Sequence, residues 1–281
     1  MSMFEKKQKM PSKKVPKTPE APKVKIDWSI FDSIWCITFT GYPERKCGVE
    51  SELKRIGILD SKNFNWRYTY PSIFDNILFD VTRKQLKHNE CPNVPVLNCL
   101  FGHYGCIKTA YELGHEFILV MEDDIRFLKD IKRIKKIMSE IPPCADIVNF
   151  DALPSGPRWS AEKYEQSSHE SKYNDEFYSY NGMMGAACYA LSRKAMKAIC
   201  IRVEQMLFPF DIYTSGDVYL GSDISRYASY ESICCQLTYG KSMNVANFGD
   251  DSLHSPYSRK CLDYSKYNIF DKKDYTYGCS V

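Results

Sequence analysis

The stretch of sequence that decides the fold is Phe117-Ile118-Leu119-Val120-Met121-Glu122-Asp123-Asp124. Its first five residues are apolar, which is typical of a central strand covered on both faces. Three carboxylates follow with no turn residue between them, and taking them out of water costs several kcal/mol unless a cation compensates their charge. Because ligands of open α/β sheets bind just beyond the carboxyl ends of the strands, the triplet marks a candidate site.

Two interpretations of the triplet stay open from the residues alone. If the chain remains extended, Glu122 and Asp124 point to one side and Asp123 to the other,. Two carboxylates on one side then form a cradle for a hard divalent cation, Mg²⁺ or Mn²⁺. Alternatively, Asp123 or Asp124 caps the helix that follows by accepting its free N–H groups. The two roles are compatible.

The composition favours a soluble globular protein of the α/β class. No apolar run approaches the roughly 20 residues that span a bilayer, and the N-terminus has no apolar segment, so we expect a cytoplasmic protein,. In a reducing compartment the 12 cysteines are mostly buried small apolar residues rather than a disulfide framework,. A structural zinc site is not favoured, because the nearest candidates are irregularly spaced: His88, Cys91, Cys99, His103 and Cys106,.

The N-terminal segment differs from the remainder in charge. Residues 1–25 carry eight lysines, two glutamates and four prolines, whereas the chain as a whole has a net charge of +3. We therefore predict a basic disordered tail at 1–27 and a single folded domain at 28–281. Weak contact between the tail and an anionic surface is compatible with this charge, but the body has no basic patch that indicates specific nucleic-acid binding.

The first part of the domain has the pattern of half a βαβ unit. A buried strand over 34–40 precedes a turn, and a helix with an apolar stripe then ends at Gly57,. Thr40, Gly41 and Arg45 are expected at the same sheet edge as the acidic triplet. Arg45 can pair with a phosphate there, or it is an exposed charge at the helix start.

Periodicity predicts the remaining elements. The segment 154–181 is long, polar and without a pattern, which is typical of a functional or mobile loop,. A lone helical histidine such as His103 is more often structural than catalytic. The predicted elements are strands at 64–70, 146–151 and 186–191, helices at 98–113, 127–141 and 193–207, and a cap at Ser192,.

The order of the motifs resembles glycosyltransferase family 25, the lipooligosaccharide and collagen galactosyltransferase-like group, over roughly residues 33–255. One departure is Gly102, which stands where the family has a serine, and another is that Arg45 is the only arginine in its turn. The resemblance implies a GT-A nucleotide-sugar fold with a mostly parallel central sheet flanked by helices. It also implies a nucleotide-sugar half at 28–150 and an acceptor half at 151–281. The motifs that carry it are Arg45, Asn98–His103, Glu122–Asp124, Gly185–Ser192, Pro209–Asp211 and Gln236.

The resemblance further implies an enzyme, a metal-dependent inverting hexosyltransferase. It would move a hexose such as galactose or glucose from a UDP-sugar to a hydroxyl of a glycan or glycoprotein acceptor, with Mn²⁺ or Mg²⁺ bridging the diphosphate. Residues 154–185 would form much of the acceptor side. The implied roles are metal ligation by Glu122, Asp124 and His254, donor binding by Thr40, Gly41, Arg45 and Asp123, and general base catalysis by Asp211, with Asp151 and Asp217 in reserve,.

Two other functions are compatible with acidic strand ends. A nucleotidyltransferase on a related fold would use the same chemistry, but the chain lacks a glycine-rich phosphate loop of the expected kind,. A binding protein that kept the fold and lost the activity is the other alternative.

Overall fold

A seven-stranded sheet runs through the described part of the protein. The computed structural model describes residues 25–39, 43–69, 94–151, 153–154, 172–180, 183–184, 186–205, 210, 213 and 220–236. The predicted tail at 1–27 lies outside the described residues except for its last three. The division of the folded region into two halves remains a prediction.

The sheet has the spatial order β2-β1-β3-β9-β5-β10-β7. Strands β1, β2, β3, β5 and β10 run in one direction and β7 and β9 in the other, which confirms the mostly parallel sheet. Two short pairs, β4 with β11 and β6 with β8, lie outside it. The strands are β1 Ser33–Phe39, β2 Phe64–Thr69, β3 Phe117–Glu122, β4 Ile125–Phe127, β5 Ile147–Asn149, β6 Leu153–Pro154, β7 Phe177–Ser179, β8 Met183–Met184, β9 Cys188–Ser192, β10 Arg226–Ser229 and β11 Cys234–Gln236.

Helices cover both faces of this sheet. One apolar core joins α1 and α3 to one face, and a second core joins α2 and α4 to the other. Strands β1 and β3 contribute alternate side chains to the two cores, as expected for central strands. The helices are α1 Pro43–Ile56, α2 Val94–Glu112, α3 Ile131–Ser139 and α4 Arg193–Gln205, with a 3₁₀ turn at Trp28–Ile30.

The prediction of a helix over 127–141 was wrong at its start. Phe127 belongs to β4, which pairs with β11, and α3 begins only at Ile131. Asp130 caps the helix by accepting the backbone N–H of Arg133 at 2.8 Å. Phe127 lies four residues before Ile131, so its apolar side chain fits the helical period by coincidence. The strand that contains it is instead determined by pairing with a segment far along the chain.

Other element ends agree with their sequence signals. Gly57 follows α1 with a φ of 80°, a left-handed conformation that favours glycine,. The Ser192 hydroxyl caps α4 by accepting the backbone N–H of Ala195 at 3.2 Å,. Within the described residues, no helix has the combination of length and apolar character that crossing a membrane requires.

Candidate active site

The acidic triplet contains a turn, not a continued strand. β3 ends at Glu122, Asp123 and Asp124 form the turn, and β4 starts at Ile125. The extended geometry considered for the triplet is therefore wrong, and Glu122 and Asp124 do not share one side of a strand. The turn follows because the chain leaves the main sheet directly after the acids, where β4 pairs with β11.

Arg45 bridges the two aspartates of this turn. Its Nη2 lies 2.7 Å from Oδ1 of Asp123 and 2.7 Å from Oδ2 of Asp124. The Thr38 hydroxyl donates a hydrogen bond of 2.8 Å to the other oxygen of Asp123. Only 3% of the Asp123 side chain and 11% of the Asp124 side chain are exposed, so the guanidinium supplies the cation that two buried carboxylates need,.

The local chain path explains why Arg45 is available. β1 ends beside the triplet, with Ile37 paired to Glu122, and α1 starts only four residues after β1. Pro43 is the first helical residue, a position where its missing N–H costs no helical hydrogen bond,. Arg45 lies in the first turn, where the helix dipole adds positive potential beside the acids.

Glu122 makes a different set of contacts on the side of α2. Its Oε1 is 3.0 Å from Nε2 of His103 and 3.6 Å from Sγ of Cys99. Burial alone would raise the pKa of Glu122, but the hydrogen bond with His103, together with the charge of Arg45 and the contact with Cys99, leaves this pKa below its ordinary value,. Glu122 is therefore an ionised carboxylate in a half-buried position.

His103 is held rigidly beneath Glu122. The imidazole is fully buried and stacks on Phe210, with ring centroids 4.2 Å apart and planes at 6°. Its Nδ1 lies 2.8 Å from the hydroxyl of Tyr189, which is also fully buried. If the hydroxyl donates to Nδ1, then Nε2 carries the proton and donates it to Glu122, so that both ring nitrogens have a partner.

Asp151 supplies a further carboxylate at the same sheet edge. It follows β5, is 5% exposed, and accepts the backbone N–H groups of Ala187 at 3.0 Å and Cys188 at 3.3 Å. Burial raises the pKa of Asp151 to about 7, and the charge of Glu122 adds to the rise,. Since the Glu122 N–H donates to the Ala187 carbonyl at 2.9 Å, Ala187 connects the two acids.

Close packing of α2 on the sheet explains the departure at Gly102. A Cβ atom there would lie 2.8 Å from Cγ2 of Thr69 and 2.9 Å from Cγ2 of Ile37, which is too close. At Gly105 the atoms that a Cβ would meet belong to the guanidinium of Arg67. Glycine at 102 thus lets the helix that carries Cys99 and His103 approach β1 and β2.

The structure brings together only part of the predicted site. Sequence reasoning missed Thr38 and Cys99 and assigned His103 a structural role, although the four-residue spacing of Cys99 and His103 puts them on one helical face. Among the predicted residues, the structure describes in this region Arg45, Glu122, Asp123, Asp124 and Asp151. The other predicted residues lie outside the described residues: Thr40, Gly41, Asp211, Asp217 and His254.

Solved structures of two glycosyltransferases and of one other transferase have only a distant likeness to this chain. A glycosyltransferase involved in the glycosylation of the major capsid of PBCV-1 is 13% identical, with 74% of this chain and 94% of that chain covered and a TM-score of 0.39. Mannose-1-phosphate geranyltransferase from Thermus thermophilus is 10% identical, with 70% of this chain and 73% of that chain covered and a TM-score of 0.37. The galactosyltransferase LgtC is 12% identical, with 69% of this chain and 72% of that chain covered and a TM-score of 0.35. These TM-scores are too low to bear on the function of this chain.

The family comparison is more informative. No curated protein matches the chain significantly. Residues 79–214, just under half of the chain, match glycosyltransferase family 25, described as an LPS biosynthesis protein family. The matched segment contains α2, the acidic triplet, Asp151 and β9. Residues 79–214 are therefore similar to glycosyltransferase family 25, which confirms the resemblance inferred from the motifs and supports a glycosyltransferase.

Proposed function

We propose that this glycosyltransferase moves a hexose from a UDP-sugar to a hydroxyl of a glycan or glycoprotein acceptor, with inversion and with a divalent cation. The observation that carries the proposal is the pair of buried aspartates bridged by Arg45 at the carboxyl end of β3. In open α/β sheets this edge is where ligands bind.

The aspartate pair fits the implied cation by its chemistry. Carboxylate oxygens are the ligands that Mg²⁺ and Mn²⁺ prefer. The pair already holds a positive group, because the Arg45 guanidinium contacts both side chains at 2.7 Å. Asp124, with Glu122 and His254, would hold the ion. When bound, the ion supplies Lewis-acid stabilisation of the leaving diphosphate.

Arg45 and Asp123 then bind and orient the donor. A guanidinium at the start of α1 has the charge and donor geometry for a phosphate, with the helix N-terminus behind it. Thr40 and Gly41, which lie outside the described residues, are also proposed to bind the donor. Asp123 is positioned by the hydroxyl of Thr38, so its carboxylate is oriented to accept hydrogen bonds from ribose or sugar hydroxyls.

The acceptor hydroxyl must lose its proton to a general base. Asp211 is the proposed base, from its place in the motif, and Asp217 is a reserve. Asp151 is the alternative that has structural support, because a carboxyl with a pKa of about 7 is matched to proton transfer near neutral pH,. Comparing the pH–rate profiles of Asp211→Asn, Asp151→Asn and Asp217→Asn distinguishes them, since only loss of the base removes the limb that rises with pH.

The setting of the reaction follows the sequence-based expectations. We propose a cytoplasmic enzyme whose acceptor side is formed largely by residues 154–185. Cys36, Cys106, Cys188 and Cys200 are buried as small apolar residues, which supports a reducing compartment,. The basic tail contributes at most weak contact with anionic surfaces.

A donor panel tests the proposed function. Purified protein is incubated with nucleotide sugars and Mn²⁺, or with a chelator, and release of the nucleoside diphosphate is measured. We expect turnover of one UDP-sugar that needs the metal and is lost in Asp124→Asn. The matched control is Asp60→Asn at an exposed position in the turn after α1. Turnover that survives the chelator, or that Asp124→Asn leaves unchanged, contradicts the metal role. Release of pyrophosphate from a nucleoside triphosphate and a sugar phosphate would instead establish the nucleotidyltransferase.

A further inference from the structure

Cys99, His103 and Glu122 form a cluster of three metal-binding side chains from two elements. Cys99 and His103 are four residues apart on α2 and therefore lie on one helical face,. Glu122 faces them from the end of β3. Their ligand atoms all lie within 4.8 Å of one another. The three groups thus converge on one point without any rearrangement of the backbone.

The spacing of these atoms matches a tetrahedral ion. With bonds of about 2.3 Å to sulfur and about 2.0–2.2 Å to nitrogen and oxygen, tetrahedral zinc separates its ligand atoms by about 3.4–3.6 Å. Sγ of Cys99 lies 3.6 Å from Oε1 of Glu122, and Nε2 of His103 lies 3.0 Å from the same oxygen. The Cys99 sulfur and the His103 nitrogen also lie within 4.8 Å of each other, so side-chain adjustment alone makes the cluster a three-ligand site.

The chemistry of the cluster differs from that of the aspartate pair. A thiolate and an imidazole favour a borderline-soft cation such as Zn²⁺, whereas carboxylates alone favour Mg²⁺ and Mn²⁺. Cys99 and Glu122 are half-buried, which leaves water access to a fourth position,. The cluster therefore favours a softer cation than the aspartate pair does.

Tyr189 provides the outer support that histidine ligands require. A histidine that binds metal through one nitrogen usually donates the other N–H to an oxygen, which fixes the tautomer. The Tyr189 hydroxyl lies 2.8 Å from Nδ1 of His103, and the stack on Phe210 fixes the plane of the ring. Binding would move the ring proton from Nε2 to Nδ1, turn the hydroxyl into the acceptor, and release the thiol proton of Cys99 to solvent.

We propose that Cys99, His103 and Glu122 form a second cation site, which binds Zn²⁺ next to the donor site. Glu122 would then be shared with the donor site, where Asp124 and His254 would also hold the other ion. A structural zinc site takes four protein ligands, which the irregular spacing of the cysteines and histidines does not favour. This site needs only two ligands on one helix and a third brought by the fold.

Cobalt substitution tests the site without reference to activity. The full chain, freed of metal by a chelator and of any affinity tag, is titrated with Co²⁺. We expect visible bands of a tetrahedral ion and a near-ultraviolet thiolate-to-cobalt band that saturate together at one equivalent and that Zn²⁺ abolishes. Cys99→Ser should lose the ultraviolet band, whereas the matched control Cys144→Ser, at an exposed cysteine, should keep it. Tyr189→Phe should weaken Co²⁺ binding by roughly 10–100-fold.

Two results overturn the proposal. One is a wild-type protein that shows no thiolate band, and the other is a band that Cys99→Ser leaves in place. Alkylation of the wild type provides a readout that needs no variant. Bound Zn²⁺ should slow iodoacetamide modification of Cys99, located by peptide mapping, but not that of Cys144. Equal modification of Cys99 with and without Zn²⁺ contradicts the site even if a variant fails to fold.

Discussion

Replacing Arg45 by glutamine removes the cation between Asp123 and Asp124 while keeping a polar side chain of similar length. Each carboxylate lies 2.7 Å from Nη2. For charge centres about 4 Å apart and an effective dielectric of about 20, each pair contributes about 4 kcal/mol of attraction. Desolvation of the three charges offsets most of this sum, so the attraction is not the stability lost.

The expected loss of stability is at the lower end of the range for buried pairs. Removing one partner of a buried ion pair costs about 3–5 kcal/mol, because the other charge stays buried. Since 16% of the Arg45 side chain is exposed, water can partly replace it, and we expect a loss of about 3 kcal/mol,. Arg45→Lys should lose less, because both carboxylates contact one nitrogen, which an ammonium group can imitate,.

Urea unfolding at neutral pH, followed by far-ultraviolet circular dichroism, measures this loss. The matched control is Lys197→Gln on the exposed face of α4, for which we expect a change within about 0.5 kcal/mol,. If Arg45→Gln is no more destabilising than Lys197→Gln, the guanidinium does not hold the aspartate pair. The account of the donor site would then lose its main structural support.

Further predictions concern Asp151 and the glycines of α2. Burial raises the pKa of Asp151 from 3.8 to about 7, so the folded state favours its protonated form, and its contribution to stability falls as pH rises from about 4 to about 7,. Unfolding free energies measured across this window should show a loss of about 4 kcal/mol in the wild type that Asp151→Asn lacks, and parallel curves would contradict the shift. Gly102→Ala should destabilise by about 1–3 kcal/mol through overpacking against Ile37 and Thr69,. Gly105→Ala should cost less, since it displaces only the flexible end of Arg67, and equal costs in thermal melts would contradict the packing argument.

The sequence predicted the central strands and the positions where helices stop. β1 and β3 were predictable because runs of four and five apolar residues, Ile34–Ile37 and Phe117–Met121, fill the cores on both faces of a central strand,. The ends at Gly57 and Ser192 were predictable because their backbone and side-chain chemistry acts locally. The start of α3 was not, because β4 is defined by its pairing with β11, far along the chain.

The sequence indicated where the candidate site lies, but not which residues contact the acids there. Acidic residues after an apolar strand located it, since charge cannot stay buried without a partner. The partners came from elsewhere: Thr38 is 85 residues from Asp123, and His103 is 19 residues from Glu122. A local sequence pattern carries no information about contacts between residues so far apart in the chain. Because of the turn, Asp123 and Asp124 contact Arg45, whereas Glu122 contacts His103. An extended strand would instead have placed Glu122 and Asp124 on the same side.

Calorimetric binding of the UDP-sugar selected by the donor panel tests the central claim most directly. Titrations with Mn²⁺ and with a chelator are compared for the wild type, Asp124→Asn and the surface control Asp60→Asn. If Asp124 holds a cation that binds the donor, the wild type and Asp60→Asn bind the donor only with Mn²⁺, and Asp124→Asn does not bind it under either condition. Donor binding of equal strength with and without the metal, or in Asp124→Asn, would contradict it.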